Sequence, residues 1–461
     1  ASDRFSNFES PHVSPVDLSP DGALLAVCNT ADARVALFDV TGAAPVQVAS
    51  VRVGIDPVSA TFRNTGELWV VNHISDSVSI LDVRDAANAY VRATVQTRDE
   101  PCDVVFAGTP VRAFVSCSAA NTVQVFDPAN PFAPPQQVAI EAEDPRDLAV
   151  SPDGETVYAA IFESGNGTTI LAGGFIESLG INVVSDPDTP HGGVNPPPNA
   201  GTAFAPPRPP GQPLPPRTGL VVRQDDSGRW RDDTGKDWTR WVSGDRANQS
   251  VRPVGWTLLD RDVAVIDAGT LSLGYVERLM NINAALAVNP ASGEVLVAGT
   301  DATNEVRFEP NLNGTFVRVM AALIDDTATQ HLVDVNEAHL AAAQLAQDGV
   351  AEAYHDASVP PAAREESLGD PRGVVWNAAG TRAYVSGMGS NNVLVLAADG
   401  QRAPGDATIA VGEGPTGMAL DDARDRLYVL NRFDATVSVV AAASNQTINT
   451  VGIFEPTPPA I

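Results

Sequence analysis

The sequence predicts an all-β fold: a seven-bladed β-propeller of four-stranded antiparallel blades, with two long insertions on one face. Three observations predict it. One phrase recurs along the chain: a proline, an apolar strand, a turn, a second apolar strand, an Asn-bearing loop and a third, alternating strand. The opening prolines Pro57, Pro101 and Pro145 fall 44 residues apart each time. Tight-turn sequences, such as Pro20-Asp21-Gly22 and Pro152-Asp153-Gly154, stand between the first and second strands.

The copies follow in order. The first is PVDLSPDGALLAVCNTADARVALFDV at 15–40, and VQVASVRVG supplies its fourth strand. The second, PVSATFRNTGELWVVNHISDSVSILDV, covers 57–83, and the third, PCDVVFAGTPVRAFVSCSAANTVQVFD, covers 101–127. The fourth opens at Pro145, breaks off near Ile161 and resumes with DVAVIDAG at 262–269. The fifth is read at 283–310, ending in NEVRFEP; the sixth and seventh run over 371–397 and 415–442. The strands are rich in Val, Leu, Ile and Phe. Ring closure is expected to pair the end of the chain with a segment near Phe5 to Phe8. The whole of 1–461 then reads as one propeller domain. A Pro/Trp-rich insertion occupies 162–261 in blade 4, and a partly helical insertion occupies 326–370 between blades 5 and 6.

The formal net charge is −28, which disfavours nucleic acid and anionic membrane surfaces and favours cations or a basic partner. An acidic, arginine-using lineage would produce the same balance. No long apolar run is present, so no membrane-spanning segment is expected. The chain starts Ala1-Ser2-Asp3 without Met, as after signal-peptide cleavage, so a periplasmic or extracellular location is expected. The cysteines are Cys28, Cys102 and Cys117, and no CxxCH haem motif occurs. Cys102 and Cys117 flank one turn and read either as a disulfide or as two buried thiols.

Candidate site residues fall on one face. Connections between blades and loops between second and third strands share it, and all six histidines map there: His12, His73, His191, His331, His339 and His355. Imidazole suits copper, zinc or haem iron, with Asp76, Asp334 or Asp356 in support. Against this, polar residues gather in loops anyway. His12 and His73, on adjacent blades, are the leading ligand pair. Asp17, Asp103, Arg146, Asp147 and Arg372 lie at inner-strand starts, where a mixed-charge channel mouth would bind a small polar ligand, a cation or a partner. Equally, Asp-Pro steps are turn chemistry and the arginines pair with those acids. Trp230 and Trp238, in the first insertion, offer a binding surface.

The phrases YVLNRFDATVSVV and WVVNHISDSVSIL resemble the YVTN-repeat propellers. NPPPNAGTAFAPP, GRW..D.G.DWT and NEVRFEP resemble more narrowly the bacterial YVTN proteins whose propeller precedes a cytochrome c peroxidase-like haem domain. That resemblance implies a propeller working beside a haem protein. Such a domain is absent from this chain, which stops at FEPTPPAI, where the family's linker begins. The expected function is an exported binding module that holds copper or another transition metal, or docks a cytochrome or other redox partner, as an accessory to electron transfer. The alternatives are a lactonase-type hydrolase at the channel mouth and a binding scaffold without chemistry.

Overall fold

The computed structural model describes residues 10–171, 186–193, 211, 220–232, 234–249, 258–303, 317–325, 330–349, 359–405 and 408–453. Among them stand seven four-stranded antiparallel sheets and one three-stranded sheet. The seven inner strands are Val16–Leu18, Pro57–Asn64, Pro101–Ala107, Glu143–Val150, Ile282–Val288, Pro371–Trp376 and Pro415–Asp421. Each touches the next, and the first packs against the last, so the sheets form a closed ring of blades.

Burial explains the sequence pattern. Each blade packs both faces on neighbours, so its middle strands are apolar on both sides instead of alternating. Glu67–Asn72 is buried throughout. Trp69 packs with Val104 and Phe126 between blades 2 and 3, and Tyr428 with Leu25 and Phe38 between blades 7 and 1.

The repeated asparagine has a definite job. Asn72 Oδ1 accepts the Gly54 N–H at 3.0 Å while its Nδ2 donates to Ser77 and Ser79. Asn431 does the same with Gly412, Thr436 and Ser438. A Cβ on Gly54 or Gly412 would stand within 2.7 Å of that asparagine, which fixes the glycine. The acid before the opening proline is turn chemistry. Asp56, Glu100, Asp144 and Asp370 all take left-handed φ between 52° and 64°.

Two expectations are corrected, both in blade 5, and the closure expectation falls on residues outside those described. The last blade is complete in itself, with Thr436–Ala441 pairing Gln446–Gly452, and among the described residues closure is seen as packing of blade 7 on blade 1. Phe5 to Phe8 lie outside the described residues. In blade 5 the third strand is Val317–Ile324, and NEVRFEP, residues 304–310, lies outside the described residues. Val317–Ile324 supplies the longer apolar run, with five consecutive buried residues. The segment 330–334, read as insertion, is that blade's outer strand.

The fourth blade is split as expected: Thr156–Glu163 pairs Val263–Asp267 across the insertion. The insertion has its own sheet (Thr168–Leu171, Leu220–Gln224, Trp230–Arg231) and a short helix, Thr239–Val242. The second insertion holds helices Glu337–Asp348 and Pro361–Glu365, packed through Leu340, Val359 and Ala363. Among the described residues no helix is long and apolar enough to cross a membrane.

Candidate functional site

The channel mouth on the insertion-bearing face is covered. Residues 12–15, just before the first blade, lie across it. The Val13 N–H donates to Val58 O, and the Ser14 N–H to Ser59 Oγ. The His12 ring bridges Thr30 Oγ1 at 2.6 Å and Thr416 Oγ1 at 3.0 Å, so this segment ties blade 7 to blades 1 and 2. On the other side Phe162 fills the mouth. The Arg146 guanidinium lies 3.7 Å and that of Arg372 6.0 Å from its ring centre.

Beneath this cover is a cavity of about 270 Å³. Its capped end carries Ser14, Asp17, Asp103 and Asp147; its walls include Val105, Val150, Leu286 and Met418. Each acid clamps backbone: Asp17 accepts the Phe62 N–H, Asp103 that of Leu148, and Asp147 that of Leu286, at 2.7 to 2.9 Å. The Ser14 hydroxyl donates to Asp147 at 3.0 Å. The same hydroxyl lies 3.4 Å from Asp103, so Ser14 stands between the two carboxyls, which influence each other's ionisation. Asp103 Oδ1 is buried and has no hydrogen-bond partner. Two carboxyls buried this close together oppose each other's ionisation.

Burial sets the electrostatics. It pushes Asp103 well above the ordinary carboxyl range, and the nearby Asp147 charge raises it further. Burial likewise raises Asp147 to about 6 and Asp17 to about 7, against the backbone hydrogen bonds that favour their ionised forms. The pair therefore offers a proton donor beside a proton acceptor at neutral pH, the pairing that acid–base catalysis requires.

The other sequence-predicted residues disperse. His12 is buried, its pKa lowered to about 3 by burial and by Arg432, so it is a neutral structural bridge. His73 Nδ1 meets Pro101 O at 3.1 Å, and its Nε2 stands 3.8 Å from Glu100. His12 and His73 thus have separate partners. His191 bonds Asp232 at 2.7 Å in the first insertion, and His339 bonds Ala363 O and Ser367 in the second. His331 is exposed on an outer strand, not in a loop. His355 and Asp356 lie outside the described residues. Among the described residues no three His, Cys, Asp or Glu gather as a metal site.

Arg146 and Arg372 are bound by Asp144 and Asp370. Asp76 accepts the Glu100 N–H and shapes a turn, as Asp334 does at the start of the second insertion's helix. Trp238 is fully buried and Trp230 packs against it, so these tryptophans build a core instead of a binding surface. Cys102 and Cys117 are free thiols; Cys102 lies beside His73, and Cys117 packs between blades 2 and 3. Sequence reasoning missed Ser14 and Phe162. The only signal for Ser14 was its place just before the first opening proline.

The family model described as "Lactonase, 7-bladed beta-propeller" matches residues 4–172, which contain Ser14, Asp17, Asp103 and Asp147. No curated protein matches the chain. Among solved structures, the hydrazine synthase of Kuenenia stuttgartiensis is similar over 95% of this chain and 99% of its own, at 15% identity and a TM-score of 0.56. The dihydro-heme d1 dehydrogenase NirN, in complex with DHE, is similar over 97% of this chain and 67% of its own, at 14% identity and a TM-score of 0.43. Apo AztD from Citrobacter koseri aligns over 93% of this chain and 94% of its own, at 11% identity and a TM-score of 0.45. The first likeness is one of fold alone, and the other two carry no further weight. The first likeness and the family model together support a β-propeller family.

Proposed function

We propose that the channel is a hydrolytic site for a small cyclic ester. The observation that carries this is the Asp103–Asp147 carboxyl pair, with one unaccepted oxygen, on the wall of a cavity. The lactonase-type family model over the residues that build the site supports it. In this reading the protonated acid donates a hydrogen bond to the ester carbonyl. The ionised partner takes a proton from water as its oxygen bonds to the carbonyl carbon. The ring C–O bond then breaks, and the released alkoxide takes a proton from the acid.

Lactone turnover followed by base uptake tests it. Wild-type protein should hydrolyse a small lactone, and Asp147→Asn should lower kcat by about a hundredfold or more with KM little changed. Absence of wild-type turnover, or an unimpaired Asp147→Asn variant, contradicts the proposal.

A groove on the insertion-bearing face favours a second reading, an exported accessory that docks a basic haem protein there. Glu141, Glu143 and Glu163 rim it above Leu258 and Leu259. A bound copper would have His73 Nε2 and Glu100 near it. Lysine-rich cytochrome should then bind with an affinity that falls steeply with salt and is lost on reversing Glu141 and Glu143 to Lys. Binding indifferent to both changes would remove this reading.

A further inference from the structure

The channel has a sign, and that sign selects among ligands. Among the described residues, none lining it is positively charged. The arginines nearest its mouth, Arg146 and Arg372, are held by Asp144 and Asp370 against Phe162, and Arg63 is held by Glu67. A phosphate or carboxylate brought into this cavity would lose its water and find carboxyl groups instead of a counter-ion. A neutral carbonyl would find a buried acid able to donate a proton, and an ammonium would find Asp147 and Asp17.

The same lining shows a direction of access. At the capped end Val13, Val16, Asp103 and Asp147 are buried and Ser14 and Asp17 partly so, whereas Val105, Val150, Val288 and Met418, further along the inner strands, are all partly exposed. Solvent therefore reaches the cavity from the face opposite the insertions.

We infer that the channel admits neutral or cationic carbonyl-bearing small molecules from the face opposite the insertions and excludes phosphorylated or carboxylated ones. This rests on the channel reading of function but not on turnover. The test is equilibrium binding, by titration calorimetry or saturation-transfer NMR at pH 8, of 2-pyrrolidinone and of its carboxylated counterpart, pyroglutamate. The neutral lactam should bind and the carboxylate should bind about tenfold more weakly or worse. Val150→Trp, at the open end, should abolish lactam binding. Asp147→Asn, which removes a charge in place, should narrow the gap between the two ligands. Equal or tighter binding of pyroglutamate overturns the inference, as does failure of both ligands to bind. Lactam binding that survives Val150→Trp in a folded variant overturns the direction of access. Selective lactam binding without lactone turnover would leave this inference standing and remove the hydrolase proposal.

Discussion

Trp238→Ala should unfold the first insertion while leaving the ring of blades intact. Trp238 is fully buried and packs with Leu171, Val222, Trp241 and Val242, a core separate from the seven between blades. Its indole N–H donates to Asp232 at 2.8 Å, and Asp232 also holds His191. Truncation removes a large buried ring and one partner of that carboxylate together, a loss of about 3–5 kcal/mol. A core of this size cannot absorb such a loss. Limited proteolysis should cut the variant faster within 220–249, while circular dichroism of the sheets and their melting stay near wild type. Unchanged cleavage would show that these tryptophans do not hold the insertion together.

The second large effect is on pH dependence. Asp147 is raised to about 6 and Asp17 to about 7, and Asp103 is raised as well. Such groups hold protons in the folded state that the unfolded chain has released. Their contribution to stability is full below the ordinary carboxyl pKa near 3.8 and is lost as pH rises through the folded values. His12 works the other way: its pKa of about 3 means that stability is lost as pH falls below 6.5. The groups facing the pair are Asp17 and Ser14, with no cation in the channel lining among the described residues. An asparagine at 147 keeps the shape of a protonated acid and can accept the Leu286 N–H. Asp147→Asn should therefore gain on wild type by roughly 1–2 kcal/mol between pH 5 and pH 8, measured by urea denaturation at both values. Parallel stability profiles for the two proteins would contradict the protonated carboxyl.

Much of the fold was legible because a propeller repeats its solution. The Pro-to-Pro spacing located the inner strands of blades 2, 3 and 4, and the phrase shared by Asn72 and Asn431 reports one hydrogen-bond network used twice. The fifth blade escaped because a segment separates its second and third strands, and NEVRFEP imitates the missing strand. Among the described residues ring closure is seen as packing of blade 7 on blade 1.

The candidate site was half legible. Asp17, Asp103 and Asp147 stand two residues after their opening prolines, so their shared level in the channel could be read. Their state could not. The cover formed by His12 to Ser14, the stacking of two arginines on Phe162 and the approach of two carboxyls all join residues far apart in sequence. The histidines misled for the opposite reason: loop position brings side chains to one face without bringing them to one point. His12 is held by blades 1 and 7, His73 by blade 3 and His339 by its own insertion.

The central claim is a protonated carboxyl in the Asp103–Asp147 pair, in a channel open to ligand. Infrared difference spectroscopy of wild type against Asp103→Asn and Asp147→Asn, in the carboxylic acid carbonyl region at neutral pH, tests it directly. A protonated carboxyl band present in the wild type and removed or shifted by both substitutions is the predicted result. A wild-type spectrum with no such band, or a band indifferent to both substitutions, would contradict it.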